Sequence, residues 1–105
     1  MEKSINLLNS FRSQCHSEIL YYQDNRSVAF NHSYKYICGR IDGSIWLNRL
    51  IDKFLKYEII IFLDLTNNII SKKLTLLDMS SDYNQGLYDQ LDEMEKRIDD
   101  RINCI

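Results

Sequence analysis

The chain has 105 residues and a mass of 12.6 kDa, enough for one domain, residues 1–105, and too little for two cores in series. Hydrophobic residues make up 45% and charged residues 27%, which is too apolar for a disordered chain. The net charge of −2 argues against polyanion binding driven by bulk charge.

The longest apolar run, Ile59 to Leu63, ends at Asp64, far short of the ~20 residues of a membrane span. The opening MEKSINLLNSF lacks the basic-then-apolar pattern of a signal peptide. Cys15, Cys38 and Cys104 are odd in number and widely spaced, so reduced cytosolic thiols are expected rather than a disulfide framework. Fourteen Ile, nine Asn and seven Tyr stand against one Ala and no Pro. AT-rich coding DNA produces this bias, as in low-GC bacteria, phages and mobile elements.

With no Pro and glycines only at 39, 43 and 86, the chain lacks the turn residues of all-β folds, and helices are expected. With one Ala, their stability must come from burying an apolar face. The first helix is expected over Lys3 to Tyr22, where Leu8, Phe11, Cys15, Ile19 and Tyr22 form one stripe. Gln23-Asp24-Asn25 breaks it, and Asp24 or Asn25 can cap the second helix. Ser27 to Tyr57 reads as a long helix with Phe30, Tyr34, Ile37, Ile41, Ile45, Ile51 and Leu55 on one side. Period-two alternation from Val28 to Cys38 offers a strand instead.

Tyr57 to Leu77 holds the densest apolar run and reads as a buried helix, with Asn67-Asn68 as a break. Asp78 to Gly86 is the clearest loop, where Ser81 or Asp82 can cap the final helix. In that helix Leu87, Leu91, Met94, Ile98 and Ile105 form a short heptad seam. It is too short to stand alone and must pack on the rest of the domain or on another copy. No internal repeat or low-complexity tract is expected. The expected fold is an all-α bundle of three or four helices with an acidic C-terminal helix. The alternative is an α+β domain with strands near 28–38 and 58–65.

Charge is unevenly divided. Residues 78–105 carry eight acids and three bases, a net of −5, and the remainder carries +3. The pairs Asp92–Lys96 and Glu93–Arg97 have the favourable i,i+4 order, each worth ~0.3 kcal/mol. The acidic face is either solvated and close to the basic part of the same fold, or a surface that docks on a basic partner.

Three constellations carry chemistry. Arg49, Lys53 and Lys56 share a face with Trp46, and with Arg40 they could hold phosphate beside a stacked base. Cys15, His16, His32 and Cys38 form a nominal zinc set, but neighbours at 15 and 16 diverge by about 100° on a helix, so no metal or cofactor is expected. Gly39-x-x-x-Gly43 permits close approach of another helix, the first or fourth, or of a second copy. Otherwise Asp42-Gly43-Ser44 is a turn. No phosphate loop, GxSxG, HExxH or CxxC is present, and no catalytic residue stands out.

By elimination the expected function is protein–protein interaction, as an adaptor, chaperone-like factor or inhibitor, with a homodimer favoured. Leu87, Leu91, Met94 and Ile98 would be the anchors, with Asp92, Glu93 and Asp99 selecting the partner. The runner-up is nucleic-acid or nucleotide binding through Arg40, Trp46, Arg49, Lys53 and Lys56. A metal- or thiol-dependent enzyme is third.

Overall fold

The computed structural model describes residues 2–24, 33–57 and 62–103. These residues form four helices: α1 (Glu2–Asp24), α2 (Tyr34–Lys56), α3 (Phe62–Leu74) and α4 (Asp82–Asn103). The fold is an all-α bundle, and no strand occurs among the described residues. The strand alternative fails where it can be read, because 34–38 and 62–65 are helical. Residues 28–32 and 58–61 lie outside the described residues. A single second helix from Ser27 is corrected, because Ser33 has extended backbone and α2 starts after it at Tyr34. The cap at Asn25 and the seam's Ile105 fall outside the described residues.

Local chemistry accounts for the helix ends. Ser33 caps α2, its hydroxyl accepting the Tyr36 amide at 3.2 Å. Asp24 is the last residue of α1. Ser81 caps α4 through the Asn84 amide at 3.4 Å. Asp64 near the start of α3, and Lys72 and Lys73 at its end, suit the helix dipole. Asn67-Asn68 does not break α3, which runs through both residues, and the Asn68 side-chain Nδ2 donates to the Asp64 carbonyl one turn back at 2.7 Å. The break comes at Thr75, whose hydroxyl donates to the Lys72 carbonyl.

At the centre α2 and α4 run parallel. Ser33 pairs with Asp82, Tyr36 with Asp89 and Arg40 with Glu93, the numbers rising together. Antiparallel to α2, α1 places Tyr22 by Arg40 and Arg12 by Asp52. α3 carries the chain back to the end where α4 begins and packs on α4 and α2. The backbones of α1 and α3 do not approach one another, so the helices lie in the order α1, α2, α4, α3.

Glycine makes the central pair close. A Cβ on Gly39 would run into the Tyr83 carbonyl oxygen and come within 2.8 Å of the Leu87 amide nitrogen. A Cβ on Gly86 would run into the Tyr36 carbonyl and come within 3.1 Å of the Arg40 nitrogen. The turn reading of Asp42-Gly43-Ser44 is therefore overturned, and the close-packing reading holds, with the fourth helix as the neighbour.

The reciprocity has a counterpart that sequence reading passed over. Tyr36-x-x-Gly39-x-x-Asp42 in α2 recurs as Tyr83-x-x-Gly86-x-x-Asp89 in α4. The Tyr36 hydroxyl donates to Asp89 at 2.7 Å, and the Tyr83 hydroxyl donates to Asp42. Each helix thus offers the other a tyrosine donor, a bare backbone and a carboxylate, in a local pseudo-twofold arrangement. The expectation of no internal repeat gives way to this seven-residue repeat.

Beyond the glycines the core is apolar. Leu8, Phe11 and Cys15 of α1, Leu47, Ile51 and Phe54 of α2, Leu65 and Ile69 of α3, and Leu91, Met94 and Ile98 of α4 form one buried cluster. Of the expected α1 stripe, Leu8, Phe11 and Cys15 are buried, while Ile19 and Tyr22 are half-buried.

Two physical terms compete when Ala replaces Gly39 or Gly86. Helix propensity favours Ala by ~1 kcal/mol, while overpacking a rigid contact costs about 1–3 kcal/mol, more when backbone must move. The obstructing atoms are backbone carbonyls, so the clash wins. Gly39→Ala and Gly86→Ala are each expected to lower the urea midpoint, with a net loss near ~2 kcal/mol. A midpoint raised in either variant would contradict the close approach.

Candidate functional site

The heptad residues of α4 do not form a docking face. Leu87, Leu91, Met94 and Ile98 are all buried in the chain's own core, because α4 directs this seam at α2 and its neighbours. Their role as partner anchors is corrected on that ground. The acidic residues beside them are mostly spoken for. Asp92 binds Lys73 at 2.8 Å and Lys96 at 3.0 Å, and Lys73 also reaches Glu95 at 3.0 Å. Glu93 takes Arg40 at 2.7 Å and approaches Arg97 at 3.8 Å. Asp99 is exposed on the outer side of the helix. The acidic helix therefore lies against the basic part of its own fold.

Arg40 is likewise removed from the expected phosphate site. It is 6% exposed, with Nε donating to the Tyr22 hydroxyl at 3.0 Å and its guanidinium 5.4 Å from that ring. Burial opposes its charge, but the hydrogen bond to Glu93 and the contacts with Tyr22 outweigh that and raise its pKa. It acts as an internal tie between α1, α2 and α4. Lys53 and Lys56 are exposed near the end of α2, with the Lys56 ammonium 5.4 Å from the Tyr57 ring.

Trp46 and Arg49 do come together, and a residue not foreseen joins them. An open groove of about 340 Å³ lies between three helices. Asp42, Ile45, Trp46 and Arg49 line it from α2, Lys72 from α3, and Tyr83 and Leu87 from α4. The Lys72 ammonium stands 5.9 Å from the Trp46 ring centroid. In the same groove Tyr83 has its hydroxyl pushed up to about 12, by the hydrogen bond to Asp42 and then by burial. Tyr83 therefore stays a proton donor at neutral pH. Lys72 was missed because it sits on another helix, 26 residues from Trp46, and only the packing of α3 delivers it.

Cys15 offers no nucleophile of low pKa. It is fully buried, and burial first, with Glu18 next, pushes its thiol up to about 12. His16 is exposed on the same helix, and Cys38 is half-buried. His32 and Cys104 lie outside the described residues. Among the described residues no cluster of three metal-ligating side chains occurs, and no helix is long and apolar enough to cross a membrane.

A second surface stands out on α3. Its inner side buries Leu65, Thr66 and Ile69, while Leu63 (67% exposed), Ile70 and Leu74 (73% exposed) face outward. With Asn67 they recur at steps of four, three and four, one stripe of the helix. Leu77, 90% exposed, and Met79 extend the apolar character beyond its end.

The bridge from Lys73 to α4 makes a pH-dependent prediction. Hydrogen bonds from Lys73 and then Lys96 hold the Asp92 carboxyl below its ordinary value. A folded-state pKa below the unfolded one contributes stability that is present above about pH 4 and lost as pH falls through the lower value. Lys73→Met keeps the stem packing and removes the charge. It is expected to cost ~1 kcal/mol at pH 7, reduced by partial exposure, and less at pH 3, read as urea midpoints. An equal cost at both pH values would contradict the pairing. Comparison of the chain with protein-family models, with curated proteins and with solved structures gave no match.

Proposed function

We propose that the protein is a small interaction module that works by docking on a partner protein, with the outer face of α3 as the docking surface. The observation that carries this is the stripe Leu63, Ile70 and Leu74, three exposed apolar side chains on one side of a single helix. Scattered surface leucines need no explanation, but an ordered stripe on one helix, continued by Leu77, is the form a helix-docking face takes. The anchors therefore shift from the α4 seam to α3, and electrostatic choice of partner shifts from Asp92 and Glu93, which are paired internally, to exposed groups beside the stripe such as Asp64. The homodimer expectation rests on this same face.

The test is the double variant Leu63→Glu, Leu74→Lys, in which each new charge suits its end of the helix dipole. Both positions face solvent, so the melting temperature should change little. Light scattering over a dilution series reads self-association, and quantitative pull-down from the native host reads other partners. Wild type should show one of these, weakened at least tenfold in the variant, the cost of losing a central apolar anchor. A wild-type chain that is monomeric throughout and captures nothing that the variant fails to capture would contradict the proposal.

A further inference from the structure

We propose that the groove between α2, α3 and α4 binds a nucleoside monophosphate, with Arg49 and Lys72 on the phosphate and Trp46 against the base. The inference is independent of docking through α3, since it uses a different face.

It starts from an imbalance of charge. Arg12, Arg40, Lys73, Lys96 and Arg97 each have a carboxylate partner. Among the described residues Lys3, Lys35, Arg49, Lys53, Lys56, Lys72 and Arg101 form no ion pair, and of these Arg49 and Lys72 line the groove. Asp42, the acid in the groove wall, is engaged by Tyr83. The groove is thus a concave site with two uncommitted cations, one from each of two helices.

The pseudo-twofold pairing of α2 and α4 sharpens the contrast. On the α1 side, beside the Tyr36–Asp89 pair, Arg40 lies against the Tyr22 ring and Glu93 closes the assembly. On the α3 side, beside the Tyr83–Asp42 pair, Lys72 lies against the Trp46 ring, and among the described residues no carboxylate pairs with it. One side holds cation, ring and internal anion. On the other, Trp46 stands 47 residues before Glu93, the same offset that relates Tyr36 to Tyr83, so a ring replaces the internal anion and Lys72 is the cation beside it.

The order of groups along α2 selects the ligand. Asp42, Trp46 and Arg49 follow one another at about one helical turn each, near 5 Å apart along the axis. That sequence of acceptor, aromatic face and cation matches the amino edge, ring and phosphate of a nucleotide. The Asp42 carboxylate retains acceptor positions beyond the one Tyr83 uses, enough for an exocyclic amine. Ile45 and Leu87 supply the apolar wall. The volume lies at the small end of the range for ligand sites, which suits one nucleotide and not a strand. Stacking and a phosphate held by Arg are the usual means of such recognition.

Trp46 is the chain's single tryptophan and lines the groove while packing against the core, so its fluorescence responds to occupancy of the groove. Titration with AMP is expected to change the emission saturably, with affinity falling as salt rises. Adenosine and inorganic phosphate, each lacking half of the contacts, should bind at least tenfold more weakly. Arg49→Gln and Lys72→Gln should each weaken AMP about tenfold, the loss of one charge-assisted hydrogen bond, while Lys53→Gln, outside the groove, should leave it unchanged. Calorimetry with the same ligands detects binding that leaves the emission unaltered. No saturable signal by either method at millimolar AMP would overturn the proposal. So would an equal loss in Lys53→Gln, or binding of a single-stranded oligonucleotide without binding of AMP.

Discussion

The mutual approach of α2 and α4, backbone against backbone at Gly39 and Gly86, sets the positions of everything else. Helices packed through ordinary side chains lie about 8–10 Å apart, and here the missing Cβ atoms allow less. At that separation Tyr36 and Tyr83 reach across to Asp89 and Asp42, and Ser33 reaches Asp82. A wider spacing would leave these hydroxyls and carboxylates to water. The glycines weaken each helix by ~1 kcal/mol relative to Ala, and the contacts they permit offset it.

Placing a parallel pair at the centre also fixes where the outer helices go. A parallel pair needs a return segment, and α3 supplies it on the flank of α4 while α1 covers α2. Since α1 and α3 sit on opposite sides, neither hides the other's outer face. One result is that α3 keeps a buried side and a solvent-facing apolar side. The other is that the two ends of the pseudo-twofold are finished differently, with Tyr22 and Glu93 closing one and Trp46, Arg49 and Lys72 lining the other. Both proposed surfaces arise from this asymmetry around a nearly symmetric centre.

Periodicity carried the fold class. Leu8, Phe11 and Cys15, and Leu87, Leu91, Met94 and Ile98, are buried as their spacing predicts. Their spacing could not say whether the α4 seam met its own chain or another, because a heptad stripe is the same in either case. The Gly39-x-x-x-Gly43 pair was legible as an approach site, while its partner Gly86 was read as part of a loop. Recognising the Tyr-x-x-Gly-x-x-Asp repeat required placing Gly86 inside a helix. In the candidate groove Trp46 and Arg49 were legible as neighbours on one helix. Lys72 and Tyr83 arrive from other helices, and Arg40 leaves for the interior on the strength of Tyr22 and Glu93. Pairings of that kind depend on tertiary geometry that local sequence does not encode.

The close parallel approach is open to direct measurement by proton NMR on the intact chain. A nuclear Overhauser contact is expected from the Gly39 α-protons to the Leu87 amide proton, and reciprocally from the Gly86 α-protons to the Arg40 amide proton. Both together require parallel helices in backbone contact. Their absence in an otherwise assigned spectrum, or contacts joining the start of α2 to the end of α4, would contradict the account.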